Sequence, residues 1–340
     1  MKNYKNKILG VLAVSSFILM DVSSTNTARA VDLLINNYLP GKHPFQVAIQ
    51  GPWAKAVKAA TNGSVTPKFS AAAVGPAPKN WQTVTKGIAD VVLLANIFQR
   101  KRIQLPTVSE FPLSSPGALN TSKALWATHE KFFKKANEYK GTHLLGSFVL
   151  TPNVVHSLNK PIKTVADLKG FKIRASPGLA VKVLNALGAV PVASGPFKIF
   201  SLASTGVVDG VSVPAHGLFA FKIMPYVKYT TVIKGGLTNT SFSFLINGKK
   251  WDGLSKTQQS QIMSVSGMAI SEKGNLTDKI AAGALKALKK KGGKVIAPDP
   301  SLIAALKKIS AGSQSTWLKN AKAKGIDGKA ALAFFQSQIN

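Results

Sequence analysis

From Val31 onward, short apolar runs alternate with stretches whose apolar residues recur every three or four positions, the rhythm of strands interleaved with amphipathic helices. Val31 to Asn36, Val65 to Phe69 and Ala89 to Leu94 are predicted strands. Pro44 to Thr61 and Trp81 to Gly87 are the helices between them, the first closed by Asn62-Gly63. Gln99 to Ser115 holds Pro106 and Pro112 without a clear period, so a crossover loop is expected there. Ser122 to Tyr139 predicts a helix and Leu144 to Leu150 a strand.

A new β-α-β run starts near Asn153. Within it, Val165 to Lys169 predicts a short helix stopped by Gly170, and Phe171 to Arg174 alternates apolar and basic residues like a half-buried strand. Arg174 thus stands near a strand's C-terminal end, the edge at which open α/β sheets bind ligands. Leu179 to Leu187 and Phe200 to Thr205 read as helices flanking the strand Val190 to Val192. Strands return near Thr230 to Val232 and Ser241 to Ile246. Helices are expected from Trp251 to Gln261, Ile270 to Lys291, Ile303 to Lys324 and Ala330 to Gln338. The alternation predicts an α/β fold. Residues 31–152 should form a first lobe and 153–235 a second, with 236–340 supplying crossing segments and helices shared by both. Several crossings imply a hinge, and a cleft between lobes is the default ligand site.

The first thirty residues do not belong to this pattern. Lys2, Lys5 and Lys7 precede an apolar core from Ile8 to Met20, and Ala28-Arg29-Ala30 offers a small–x–small cleavage site. This is the form of a secretory signal peptide, with an apolar run too short to span a membrane. The mature chain is expected to begin at Val31 and to be soluble and periplasmic. The absence of cysteine excludes disulfides, thiolate nucleophiles, thiolate metal sites and a lipoprotein anchor.

Charge changes the picture more. The chain has 44 basic and 13 acidic residues; removing Lys2, Lys5, Lys7, Arg29 and Asp21 leaves 40 and 12, or +28. Such a surplus attracts polyanions. The lysines are scattered, however, with clusters only at Arg100-Lys101-Arg102, Lys131 to Lys135 and Lys286 to Lys294, and each cluster reads first as a solvated surface. Aromatics do not interleave with the basic residues, and an exported chain has no genomic partner, so no nucleic-acid partner is expected. The five histidines are dispersed, and no nucleophile elbow, P-loop or dinucleotide fingerprint is present. Neither an enzyme, a cofactor nor a metal site is expected.

Some cleft residues can be nominated from position. His43 lies at the first strand-to-helix turn, where free N–H groups suit an anion, although a lone loop histidine is often incidental. Phe219 and Phe221 follow Pro214, either as aromatics offered to a ligand or as the core of a β-turn-β segment. Phe242 and Phe244 alternate with serines and read as core, Trp251 as a helix start packed between the lobes, and Asp90 and Asp209 as turn and cap residues.

Residues 160–174 read K-P-I-K-T-V-A-D-L-K-G-F-K-I-R, 187–192 L-G-A-V-P-V and 206–210 G-V-V-D-G. Trp53 to Gly63, Lys86 to Asp90, Leu105 to Pro112 and Trp251 to Leu254 continue the match in order. Together they resemble the solute-binding proteins of tripartite ATP-independent periplasmic (TRAP) transporters over most of residues 45–265. The resemblance implies a two-lobe binding-protein fold, a carboxylate ligand held by a bidentate bond from Arg174, and delivery to a small and a large membrane subunit driven by an ion gradient. A forked, permanently charged guanidinium is suited to that task.

Three departures follow from the same resemblance. Lys198 stands where members often carry a glutamate, and Val213 where a ligand-contacting asparagine would sit. Counting back to a second arginine used by some members reaches Val154, with His156 nearby. The pocket therefore should lose polar contacts and gain apolar ones, which suits a monocarboxylate with a hydrophobic or aromatic body. The expected protein is a monomeric solute-binding protein. The alternative is a basic envelope protein of the same fold that binds anionic polymer or glycolipid through its lysines.

Overall fold

A computed structural model describes residues 30–39, 43 and 45–339. The expected signal peptide, residues 1–30, lies outside the described residues except for Ala30. Among these residues eleven strands are numbered in chain order: β1 Val31–Ile35, β2 Val65–Phe69, β3 Val91–Ala95, β4 Thr142–Val149, β5 Asn153–Ser157, β6 Lys172–Ala175, β7 Val190–Ala193, β8 Gly210–Pro214, β9 Tyr229–Thr231, β10 Ser241–Asn247 and β11 Lys294–Ile296. They form two sheets, ordered β2-β1-β3-β10-β4 and β11-β9-β5-β8-β6-β7. β10 runs antiparallel to both β3 and β4, and β5 antiparallel to β8 and β9.

Each sheet is covered on both faces, which explains the continuous apolar runs. In β3, Val91 and Leu93 join a core with Trp53, Phe148 and Phe244, while Val92 and Leu94 face Trp81, Trp126 and Leu245 on the other side. In the second sheet Ile173 packs with Leu184 and Leu302, and Val211 with Ile199 and Leu288.

Four segments cross between the sheets: residues 150–152, residues 232–240, residues 248–293 with the helix Gly274–Lys290, and the helix Pro300–Ala323. The helix Pro300–Ala323 gives Leu302 and Leu306 to the second core and Trp317 to a third core with Leu105, Val108 and Phe111. The crossing at 232–240 is tied to residues 113–115. Leu113 N–H donates to Gly236 O at 3.0 Å, Ser115 N–H to Gly235 O at 3.1 Å, and Asn239 Nδ2 to Ser115 Oγ at 2.9 Å. Gly235 has φ +82°, and a Cβ there would stand 2.6 Å from Leu113 O, so only glycine lets the two strands of chain meet. Fully buried Glu110 accepts from Ser241 N–H and Oγ–H, and pairs with Arg100.

Several helices differ from expectation for local reasons. The stretch expected as one helix from Ser122 to Tyr139 is an α-helix Ala118–Thr128 that widens into a π turn and ends at Asn137, whose φ is 49°. The helix expected from Trp251 is two, Gly248–Asp252 and Lys256–Ser264. The second is started by a reciprocal cap in which Ser255 Oγ accepts from Gln258 N–H and Gln258 Oε1 from Ser255 N–H. Trp251 packs in the first core, stacked on His143 at 3.9 Å, and not between the lobes. The helix expected from Ile270 to Lys291 is broken into Met268–Ser271 and Gly274–Lys290. Within the expected loop 99–115, Leu105–Glu110 is a 3₁₀ segment buried in the third core.

Candidate functional site

The arginine at the end of β6 is set in place by its flanks. Thr164 and Asp167 cap the short helix Val165–Leu168 reciprocally, and Gly170 at φ 71° turns the chain into β6. At the strand's start, Asp209 Oδ2 accepts from Lys172 N–H at 2.9 Å, tying β6 to the turn before β8. A Cβ at Gly210 would stand 2.6 Å from His156 O and 2.7 Å from the Phe171 ring, so the glycine of G-V-V-D-G is a packing requirement. These contacts fix the register that aligns Arg174 with Val192 on β7 and Val211 on β8.

Arg174 is 2% exposed. Its Nε donates to Ser194 Oγ at 3.1 Å and its Nη2 to Ser194 O at 2.5 Å. Among the described residues no carboxylate pairs with it. Burial alone pulls its pKa down to about 10, which still leaves it charged at neutral pH.

The guanidinium borders a cavity of about 380 Å³ walled by both lobes. Phe45, Ile97, Leu150 and Phe242 come from the side of the first sheet; Val213, Phe200 and Phe221 come from that of the second. Phe45 meets Phe242 edge-on at 5.1 Å and Phe148 at 5.6 Å, so this wall is a rigid aromatic cluster. The polar members are few. Tyr38 lines the cavity with its hydroxyl pKa raised by burial. His43 and His216 line it too. Burial lowers the pKa of His43, and burial plus the nearby His43 brings His216 to about 4. His43 Nδ1 accepts from Phe45 N–H at 3.2 Å, as a neutral ring does. Arg174 is therefore the one buried cation in the lining, the other lysine or arginine there being the exposed Lys222.

The residues nominated from sequence separate cleanly. Arg174, Val213 and His43 line the cavity. His156 does not: it is fully buried in β5, its Nδ1 bonded to Thr230 Oγ1 at 2.8 Å on β9, and burial lowers its pKa to about 3. Lys198 ends a 3₁₀ turn, Pro196–Lys198, and is exposed, while its neighbours Phe197 and Ile199 line the cavity. Phe219 is 49% exposed and outside the lining because 217–220 is a helical turn, which puts Phe219 and Phe221 on different sides. Sequence reasoning passed over Ser194, whose contact with Arg174 depends on strand pairing, and His216, three positions after Val213.

The family described as "Bacterial extracellular solute-binding protein, family 7" matches residues 35–320. A TRAP periplasmic solute-binding protein of Bordetella bronchiseptica, solved with (R)- and (S)-mandelate bound, is 34% identical with a TM-score of 0.86, over 91% of this chain and 98% of that one. The chain belongs to the TRAP solute-binding proteins. A marine metagenome TRAP protein specific for aromatic acid ligands, solved with 3-hydroxybenzoate, is 28% identical with a TM-score of 0.81, covering 92% and 98%. Over nearly its full length the chain is also 27% identical to the protein named outer membrane transporter protein TsaT of Comamonas testosteroni, covering 99% of this chain and 98% of that one. TRAP solute-binding proteins serve transport and are not enzymes. They are periplasmic, bind small organic acids and work with membrane subunits. In this TRAP protein the two-sheet architecture and the interlobe cavity are those of a binding protein, and no described helix is long and apolar enough to cross a membrane.

Proposed function

We propose that this protein captures an aromatic monocarboxylate, aryl or arylalkyl, after export by its residue 1–30 leader, and acts as a monomer that hands it to the small and large TRAP subunits. The observation that carries the reading is a buried guanidinium without an acidic partner among the described residues, set at the edge of a cavity otherwise walled by aromatic and aliphatic side chains. One carboxylate satisfies Arg174, and a ring fits the Phe45–Phe242 wall. The low histidine pKa values leave no second buried cation for a dicarboxylate. Val213 and His43 would touch the ligand body, with Val213 supplying apolar surface where the resemblance places an asparagine. The mandelate and 3-hydroxybenzoate bound by the similar proteins are ligands of this kind.

The test is titration calorimetry and thermal unfolding with mandelate, benzoate and 3-hydroxybenzoate against succinate and sialic acid, in low and high salt. A ligand at 100 times its Kd raises stability by about 2.7 kcal/mol. A shift of that order with an aromatic acid should persist in salt, because an enclosed ion pair is weakly screened. Binding of succinate with none of the aromatic acids would overturn the reading. Shifts only with anionic polymers, vanishing in salt, would point instead to envelope binding.

A further inference from the structure

A second recess, of about 810 Å³, opens on the first lobe, and its chemistry is the opposite of the ligand cavity's. Arg100, Lys101, Arg102 and Lys324 line it, brought together from the turn after β3 and from the end of the helix Pro300–Ala323. The cations are prearranged: Arg102 lies over the Trp81 ring at 4.8 Å, and Lys324 Nζ donates to Arg102 O at 3.2 Å. The acids nearby are already committed. Glu138, 5% exposed, accepts from Gln104 N–H at 2.9 Å and Leu105 N–H at 3.1 Å and bridges to Lys324 Nζ at 3.1 Å. Glu110 is taken by Arg100 and Ser241. Lys101 and Arg102 remain exposed to solvent with no carboxylate partner among the described residues.

The recess shares a wall with the ligand cavity, since Ile97 and Phe98 line both. It also lies on the seam between lobes. A Cβ on Gly178, in the turn after β6, would stand 3.7 Å from Ile97 Cγ1 and 3.9 Å from Arg100 Nε. A single small anion would meet few of the cations spread along so open a recess, whereas an extended chain of carboxylates could span them.

We propose that this recess docks an acidic, solvent-facing segment of the membrane subunits with which the family works. An acidic strand seated here touches the 97–102 turn, whose other side faces the ligand, and so sits where the position of the second lobe can be felt. The contact supplies electrostatic attraction and orientation, and binding there should weaken steeply with salt.

The experiment is biolayer interferometry of the full mature protein on its detergent-solubilised membrane subunits, with free hexaglutamate peptide as competitor. Lys101→Glu with Arg102→Glu should weaken docking roughly tenfold or more. The same pair should leave the Kd for the soluble ligand within about twofold, as neither residue lines the ligand cavity. Lys307→Glu with Lys308→Glu is the control of equal charge. It lies some sixteen residues up the same helix from Lys324, about 24 Å away. Lys101→Glu alone repeats the test without disturbing the Arg102–Trp81 contact. Equal loss from both pairs would mean only the net charge is sensed, and the proposal fails. It fails also if the recess variants dock normally, or lose affinity only for phosphatidylglycerol vesicles.

Discussion

Replacing Arg174 with methionine separates what the guanidinium does for the ligand from what it does for the fold. Its drop in pKa from 12.5 to about 10 corresponds to about 3 kcal/mol of unfavourable desolvation in the charged form. Two hydrogen bonds from this charged group to Ser194 offset it, at about 1.5–3 kcal/mol each. Arg174→Met fills similar space without charge, so the ligand-free protein should lose between about 0 and 3 kcal/mol. Its Cm in urea should hold or fall by that much, with m unchanged. Binding should suffer more. A carboxylate enclosed without its counter-charge loses about 2–5 kcal/mol, or roughly 30-fold to several thousand-fold in Kd. Paired urea melts and calorimetry with mandelate read both effects on the same sample. If the ligand-free variant loses more than about 3 kcal/mol, the guanidinium serves chiefly as a structural tie to Ser194. If mandelate binding survives within about threefold, the carboxylate is held elsewhere.

Three further outcomes are expected. His156 is held neutral, with a folded pKa of about 3 against about 6.5 unfolded, so below pH 6.5 the unfolded chain takes the proton first and stability falls with pH. His156→Gln should remove about one proton from that slope, about 2 kcal/mol between pH 6.5 and 5, in melts across that window; an unchanged slope would show that His156 is not the group. Val213→Asn places an amide in the apolar wall and should weaken an aromatic acid by about 1–3 kcal/mol, measured by calorimetry, and equal or tighter binding would locate the ligand away from β8. Glu110→Gln removes the charge that joins Arg100 to Ser241 and, since Arg100 can turn to solvent, should destabilise by about 1.5–3 kcal/mol in chemical denaturation, whereas a loss under about 0.5 kcal/mol would make the pair dispensable.

Arg174 could be found in the sequence because the motif around it is local: a cap, a glycine stop, a short strand and the V-V-D-G turn that meets it all have residue signatures. The strands were legible for the same reason, as β3 is apolar on two faces and β1 and β2 are bounded by turns. What could not be read was anything depending on pairing between distant segments. Ser194 reaches Arg174 because β7 lies beside β6, and no pattern within either strand says so. His156 is nominated only by its nearness to Val154 in the resemblance, and counting along the chain does not say that β5 lies between β8 and β9, where His156 bonds Thr230 in the interior. Phe219 and Lys198 were misplaced by short helical turns, where one residue alters the direction of a side chain by about 100°. Long helices were over-extended because tertiary packing breaks them without any proline to mark the place.

The position of β10 has a consequence for how the chain is assembled. β4 stands at the edge of its sheet and meets it only through β10, which follows β5 to β9 in sequence. A chain emerging N-terminus first can thus pair β5, β6, β7, β8 and β9 among themselves, with only the edge strand β11 still to come. The earlier-made sheet must wait for Ser241 to Asn247 to close a long loop before β3 and β4 are joined. Completion therefore runs against the direction of synthesis. The N-terminal half stays unlocked until the last third of the protein arrives, and β4, whose one strand partner is β10, is the strand most open to mispairing until then.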